Sequence, residues 1–150
     1  MSSWSSNAFR YRVVAAGTVS YTCLMFIWFS LPAYLSEITT ELGLSNTQAG
    51  ILVGAIPMTY IPLALLSGLA VDRIGPVRSL AGGLVIFGSA QAGRSIATGF
   101  PFLLGCTVLI GVGATVITFG LPKLVSSLFP PEQTGAPSSV YLVGASLGTA

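Results

Sequence analysis

The charged side chains that could carry chemistry are few, and three of them fall in one short stretch. The chain has six Lys and Arg, four Asp and Glu, and no His. Asp72, Arg73 and Arg78 lie within 68–78, a segment of the form G-x-x-x-D-R-x-G-x-x-R. One acid and two guanidinium groups at this spacing can pair with other charges, with lipid headgroups or with helix termini. This is the chemistry of an electrostatic contact between segments.

Catalytic and metal chemistry have no matching residues. The chain has no nucleophile–base pair, no phosphate-binding loop and no carboxylate dyad, so no catalytic residue is predicted and an enzyme is not expected. Without His, and with Cys23 and Cys106 as lone cysteines, neither a metal site, a cofactor site nor a disulfide framework is expected. The scattered basic residues and a net charge of +2 also argue against nucleic-acid binding.

The elements that must hold these charges are long apolar segments. Charged residues make up 7% of the chain and apolar residues 53%, and the mean hydropathy is +0.85. So few charges cannot cover a soluble domain, in which about 25% of residues are charged. The composition therefore predicts an all-α, polytopic membrane helix bundle.

The gaps between charges give the spans. A spanning helix needs about 20 mostly apolar residues. We predict an N-terminal segment at 1–12 and a bundle over 13–150, with four complete spans and the start of a fifth. These spans are 13–35, 48–71, 79–98, 102–125 and 137–150. A cleaved signal peptide is the alternative for the first span, but its apolar core should be shorter, about 7–15 residues.

Loop charges predict the orientation. With a cytoplasmic N-terminus, five Lys and Arg face inward and one faces outward, which agrees with the positive-inside rule. The inward group is Arg10, Arg12, Arg73, Arg78 and Lys123, and the outward residue is Arg94. We therefore expect a multi-pass protein of the cell membrane whose N-terminus is cytoplasmic.

Glycines and caps predict local structure around the spans. Gly43 suits the position after a helix end, and Ser45 with Gln48 has the spacing of a capping box. Two pairs of glycines four residues apart, Gly50 with Gly54 and Gly144 with Gly148, are typical of closely packed membrane helices. Gly68 is expected to let another helix approach the end of the second span.

The segment 68–78 resembles the signature loop of the major facilitator superfamily, which joins the second and third membrane helices. The segments 128–135 and 41–45 are similar to other connections of that family. The resemblance implies that the chain is the N-terminal part of a transporter whose fold has two bundles of six helices. Its partners would then be the lipid bilayer, a small-molecule or ion substrate, and the missing C-terminal half.

The resemblance implies a role for the loop. In the family this loop latches the two halves on the cytoplasmic side, and the residues that match it are Gly68, Asp72, Arg73, Gly75 and Arg78. Gly75 permits the tight turn. The alternative for Arg73 and Arg78 is ordinary anchoring at the membrane surface, although anchoring needs no acid such as Asp72.

Candidate substrate contacts are weaker. Arg94 lies near a span end, where an ionisable residue can bind an anion or can extend to the interface, as we expect of Lys123. In the family the first and fourth helices line the cavity, which suggests Tyr21, Thr22 and Thr115. Most Ser and Thr in membrane helices instead bond their own backbone or a neighbouring helix. Aromatic residues of the first span, including Trp28, are expected to face lipid or to pack.

The function expected from the resemblance is secondary transport of small solutes by alternating access. The segments 121–123 and 136–139 resemble those of the branch of the superfamily that carries small anions such as cyanate or nitrate. The spans contain no buried carboxylate that would indicate proton coupling. The alternative is a small, non-transporting membrane subunit that only packs against partners.

Overall fold

The computed structural model describes residues 7–149, and this part of the chain is helical without a strand. A 3₁₀ turn, Pro131–Gln133, precedes the last helix. The helices are α1 (Asn7–Ala33), α2 (Leu35–Glu41), α3 (Asn46–Ile74), α4 (Pro76–Ser95), α5 (Phe100–Leu128) and α6 (Gly135–Thr149). The predicted all-α class is confirmed. Residues 1–6 of the expected N-terminal segment and Ala150 lie outside the described residues, and residues 7–12 belong to α1.

Three helices are long and apolar enough to cross a membrane. They are Arg10–Ala33 within α1, Asn46–Ile74 and Phe100–Leu128. The 20-residue α4 is the least apolar of the long helices, because Gly, Ser and Gln interrupt its apolar residues, and it is not in this group. On α3, Met58, Ile61 and Leu65 are 72–81% exposed along one face. Such a face needs lipid or another membrane helix against it.

Local rules explain the turn before α3. Gly43 has φ 61°, a conformation that favours glycine. Ser45 caps α3: its side chain accepts a hydrogen bond from the Gln48 backbone N–H, and the Gln48 side chain accepts one from the Ser45 N–H. The predicted helix end and capping box are both confirmed.

Helix α5 lies at the centre of the bundle, packed against α4 on one side and α3 on the other. Its glycines allow the close approach. A Cβ at Gly113 would lie 2.8 Å from the carbonyl oxygen of Gly83 in α4, and one at Gly111 would lie 2.9 Å from Thr59 in α3. The main apolar core, which includes Leu24 of α1, forms around α5.

Helix α1 pairs with α6 at the side of this core. The pair Gly144 and Gly148 packs tightly there, since a Cβ at Gly148 would lie 2.5 Å from the Thr22 carbonyl oxygen. The expectation for this pair is confirmed. For Gly50, Gly54 and Gly68 it stays a prediction, because an added Cβ there would meet no atom of the described chain within 4 Å.

Candidate functional site

The charged turn between α3 and α4 is built around a single glycine. Gly75 ends α3 and begins α4, with φ 94° and ψ 148°. Its N–H donates to the Val71 carbonyl at 3.0 Å and its carbonyl accepts from the Ser79 N–H at 3.1 Å. This backbone conformation is essentially restricted to glycine. Pro76 follows at the first position of α4, where its missing N–H costs no hydrogen bond.

Asp72 is tied to the central helix. Lys123 of α5 forms an ion pair with the Asp72 carboxylate and also donates to the Gly68 carbonyl oxygen at 3.3 Å. The Asp72 side chain is 60% exposed and that of Lys123 is 40% exposed. The ion pair therefore remains in contact with the surroundings, so the two partners can separate without leaving a charge buried.

The expected role of Lys123 was incomplete. Extension to the membrane surface does not account for its contacts, because its ammonium group joins α5 to Asp72 and Gly68 of α3. A sequence signal existed. One acid and one lysine were both predicted at the same membrane surface, on the second and fourth spans, which are separated by one span.

Arg73 and Arg78 lie beside this ion pair along the chain and are exposed. Within residues 7–149, neither arginine forms an ion pair with an acid. The turn thus presents two unpaired guanidinium groups and one paired carboxylate. Such groups can bind lipid phosphate or the charges of another segment.

The structure separates the four predicted cavity residues. Tyr21 is half-buried, with its hydroxyl beside Thr118 of α5. Thr22 donates to the carbonyl oxygens of Thr18, at 3.0 Å, and Gly144, at 2.9 Å, so its hydroxyl is used between α1 and α6.

The other two predicted cavity residues also lie apart. Thr115 is completely buried, and its hydroxyl donates to the Gly111 carbonyl at 2.6 Å. Within residues 7–149, its side chain therefore does not face an open cavity. Arg94 is half-buried at the end of α4, beside a cavity of about 170 Å³ that is also lined by Glu41 and Ser95.

A group of aromatic side chains was not predicted from the sequence. The ring centroids of Trp28 and Tyr60 are 5.7 Å apart, and those of Tyr60 and Phe119 are also 5.7 Å apart. Trp28 therefore contacts a ring of α3 and is half-buried, so its contact is within the bundle and not with lipid alone. The spacing of Tyr21 and Trp28, seven residues on one helical face, was the available signal.

No group of three or more His, Cys, Asp or Glu side chains that could hold a metal ion occurs in the described part of the chain. Cys23 is exposed and Cys106 is buried, and both are free thiols. The charged turn, the cavity beside Arg94 and the aromatic side chains are thus the arrangements described in residues 7–149 that offer chemistry beyond packing.

Apolar helices of spanning length, an uncovered apolar face and one charged turn define a multi-pass helical membrane protein. Residues 17–150 match the model of the Major Facilitator Superfamily. The chain belongs to this superfamily, which confirms the resemblance of the charged loop. Two of its relatives are named as transporters.

The names of the individual relatives refer to different compounds. The chain is 28% identical over 135 residues to a hexuronate transporter of Bacillus subtilis (strain 168), which covers 90% of the chain and 31% of the relative. It is 30% identical over 113 residues to a 3-(3-hydroxy-phenyl)propionate transporter of Escherichia coli (strain K12), covering 75% and 28%. It is also 25% identical over 103 residues to the quinolone resistance protein NorA of Staphylococcus aureus, covering 69% and 26%. The chain thus spans about a third or less of the length of these curated relatives.

Proposed function

We propose that this chain forms the N-terminal part of a secondary transporter that moves small solutes by alternating access. The observation that carries the proposal is the ion pair between Asp72 and Lys123, which joins the charged turn to the central helix. A carrier that alternates between two states needs contacts that hold one state and are easily broken. An exposed ion pair, worth about 0–1 kcal/mol, meets this requirement.

The latch consists of Gly68, Asp72, Arg73, Gly75 and Arg78. Lys123 holds the Asp72 carboxylate in place, and the exposed guanidinium groups of Arg73 and Arg78 are free to engage the opposite half of the transporter. Gly75 fixes the angle between α3 and α4, so that the turn moves with both helices. Anchoring to lipid headgroups explains the two arginines but gives no role to the Asp72–Lys123 contact.

The missing partner of α3 is the C-terminal half of the transporter. Met58, Ile61 and Leu65 are exposed on one face of α3, and Gly50 and Gly54 leave space for a close approach. Lipid covers such a face in the alternative, a non-transporting membrane subunit. The transporter is favoured because 17–150 match the superfamily, whereas a packing subunit has no need for an acid paired within the turn.

The membrane orientation is part of the proposal. The N-terminus and the turn 72–78 face the cytoplasm, and the segment around Arg94 faces outward, in agreement with the distribution of Lys and Arg. Single cysteines at Val77 and Thr98, which are both exposed, test this in intact cells in a background without Cys23 and Cys106. A membrane-impermeant thiol reagent should label position 98 and not position 77, and the reverse pattern overturns the orientation.

The solute is an organic molecule in this proposal. The names of the three relatives all point to organic solutes. The resemblance of 121–123 and 136–139 to small-anion porters depends in part on Lys123, whose charge is engaged by Asp72. We therefore rank an inorganic anion such as cyanate or nitrate second.

Uptake by the whole transporter in proteoliposomes tests the function. The solutes are glucuronate, which is a hexuronate, 3-(3-hydroxy-phenyl)propionate and a quinolone, each with and without an ion gradient. Solute accumulation or exchange that is reduced by Asp72→Asn and Lys123→Gln supports the proposal. The absence of movement for every solute, with folded protein in the membrane, supports the non-transporting subunit instead. Glu132→Gln, which removes an exposed acid outside the turn, is the matched control.

A further inference from the structure

Five aromatic side chains from four helices form two groups of contacting rings, which lie close enough for Tyr21 and Tyr60 to interact electrostatically. We call the two groups together the aromatic wall. Its members are Tyr21 and Trp28 of α1, Tyr60 of α3, Phe119 of α5 and Tyr141 of α6. All five are half-buried. They thus lie at the edge of the bundle's core, where their side chains are packed on one side and accessible on the other.

The ring contacts define the geometry within each group of the wall. Trp28 meets Tyr60 edge to face, at an interplanar angle of 73°, and Tyr21 meets Tyr141 edge to face, at 86°. Tyr60 and Phe119 are tilted by 34° to one another. Edge-to-face pairs leave part of each ring face uncovered, and such faces accept a further aromatic ring or a cation.

Two rings, one from each group of the wall, lie at half the depth of their helices. Tyr60 has equal lengths of α3 on either side within Asn46–Ile74, and Tyr21 lies in the middle of Arg10–Ala33. Solute sites of transporters built from helical repeats lie near the midplane of the membrane. By contrast, Phe26 and Phe29 of α1 are 68% and 51% exposed, as rings that face lipid should be.

Few charged residues lie near the wall in sequence. No charged residue occurs in 13–36, 42–71, 95–122 or 133–150, the stretches that carry the five rings. The charged group nearest in sequence to any of the rings is Lys123, four positions after Phe119, and it is held by Asp72. Arg94, on the adjacent α4, lines a cavity with Glu41 that none of the five rings lines. Tyrosine hydroxyls and the Thr118 hydroxyl beside Tyr21 supply the polar contacts. The wall therefore offers stacking surfaces and hydrogen bonds but no cation for a carboxylate.

We propose that the aromatic wall is a recognition surface on the solute pathway for planar aromatic solutes that are neutral or positively charged. This inference rests on the proposed transport function and names its substrate class. It differs from the class suggested by the hexuronate relative, because a sugar acid has no aromatic ring and needs a positive partner for its carboxylate.

Equilibrium binding of ethidium to the whole purified transporter tests the inference. Ethidium is a planar aromatic cation, and glucuronate is the non-aromatic, anionic competitor. Tyr60→Leu and, independently, Phe119→Leu should weaken ethidium binding about three- to tenfold, the loss expected for one aromatic contact. Tyr60→Phe keeps the ring and should retain most of the binding. Phe26→Leu, which removes an exposed ring from the other face of α1, should leave binding unchanged.

The outcomes separate this inference from the proposed function. Ring-dependent ethidium binding that glucuronate does not displace supports the aromatic wall. Uptake of glucuronate by a transporter that binds no ethidium, or ethidium binding that is equal in Tyr60→Leu and Tyr60→Phe, overturns the wall and leaves the transport function intact. If no solute moves and none binds, both fail. Because Phe119→Leu changes a different helix, misfolding of the Tyr60→Leu variant alone does not remove the test.

Discussion

Lys123 of α5 forms an ion pair with Asp72 of α3, 51 positions earlier in the chain. The same ammonium group donates to the Gly68 carbonyl one turn before Asp72. The contact fixes the end of α3 against the central helix, directly before the turn at Gly75. Any movement of the charged turn relative to α5 must therefore stretch or break this contact.

Removing either partner of this ion pair should affect transport more than stability. Asp72→Asn and Lys123→Gln are each expected to change the free energy of unfolding by at most about 1 kcal/mol, because both side chains are partly exposed. Each should nevertheless reduce uptake, since the turn loses its connection to α5. Thermal unfolding in detergent and proteoliposome uptake measure the two effects.

A double variant separates the ion pair from the individual charges. If the two groups act through each other, Asp72→Asn combined with Lys123→Gln should reduce uptake no further than the worse single variant. Fully additive losses contradict a shared role. Arg12→Gln, a change of an exposed cation on α1, controls for the general effect of removing a charge.

Close packing of α4 against α5 depends on Gly113. A Cβ at this position would lie 2.8 Å from the Gly83 carbonyl oxygen and 2.8 Å from Phe87 Cβ, and the backbone atom cannot move aside cheaply. Gly113→Ala should lower the free energy of unfolding by about 1–3 kcal/mol. Gly105→Ala, on the same helix but with nothing within 4 Å of the new Cβ, should be neutral or stabilising. Equal unfolding temperatures for the two variants would show that α4 and α5 do not pack as described.

Features governed by neighbouring residues could be predicted from the sequence. The capping box at Ser45 and the glycine turn at Gly43 follow from residue types three positions apart or fewer. The charged turn at Gly75 was equally local. Long charge-free stretches were enough to predict the all-α bundle, because a membrane leaves the backbone few alternatives.

Features that depend on helix rotation could not be predicted. Thr115 was expected near a cavity, but α5 is the central helix and this side chain is completely buried. Trp28 was expected to face lipid or to pack, and its contact with Tyr60 depends on how α1 and α3 are rotated toward each other. Periodicity within one helix gives a face but does not give the neighbour of that face.

The turn geometry at Gly75 makes its own prediction. Gly75→Ala places a Cβ on a residue with φ 94° and ψ 148°, which should cost about 1–3 kcal/mol even though nothing lies within 4 Å of the added atom. The strain can be relieved only if α3 and α4 change their angle. Unfolding temperature and uptake should both fall. Gly82→Ala, in a helical and open position of α4, is the control and should lose neither.

The role of Thr22, which the family resemblance suggested as a cavity residue, can be tested through the contact between α1 and α6. Its hydroxyl donates to the Gly144 carbonyl of α6 at 2.9 Å. Thr22→Val keeps the shape and removes this bond, so it should weaken the pairing of α1 and α6 by about 0.6 kcal/mol, the average for such bonds between membrane helices. Thr18→Val is the matched control, because Thr18 donates to Val14 of its own helix while its methyl group also faces Gly144.

Amide hydrogen exchange in α6 measures this difference directly, since it reports local opening of the helix pair. Thr22→Val should speed exchange about threefold in α6, which corresponds to that loss of free energy, whereas Thr18→Val should leave it nearly unchanged. Solute affinity should be the same in both variants, because the Thr22 hydroxyl is used between helices. If the Thr22→Val variant has normal exchange in α6 and weakened solute binding, Thr22 contacts the solute. In that case α6 does not pack against α1 as described.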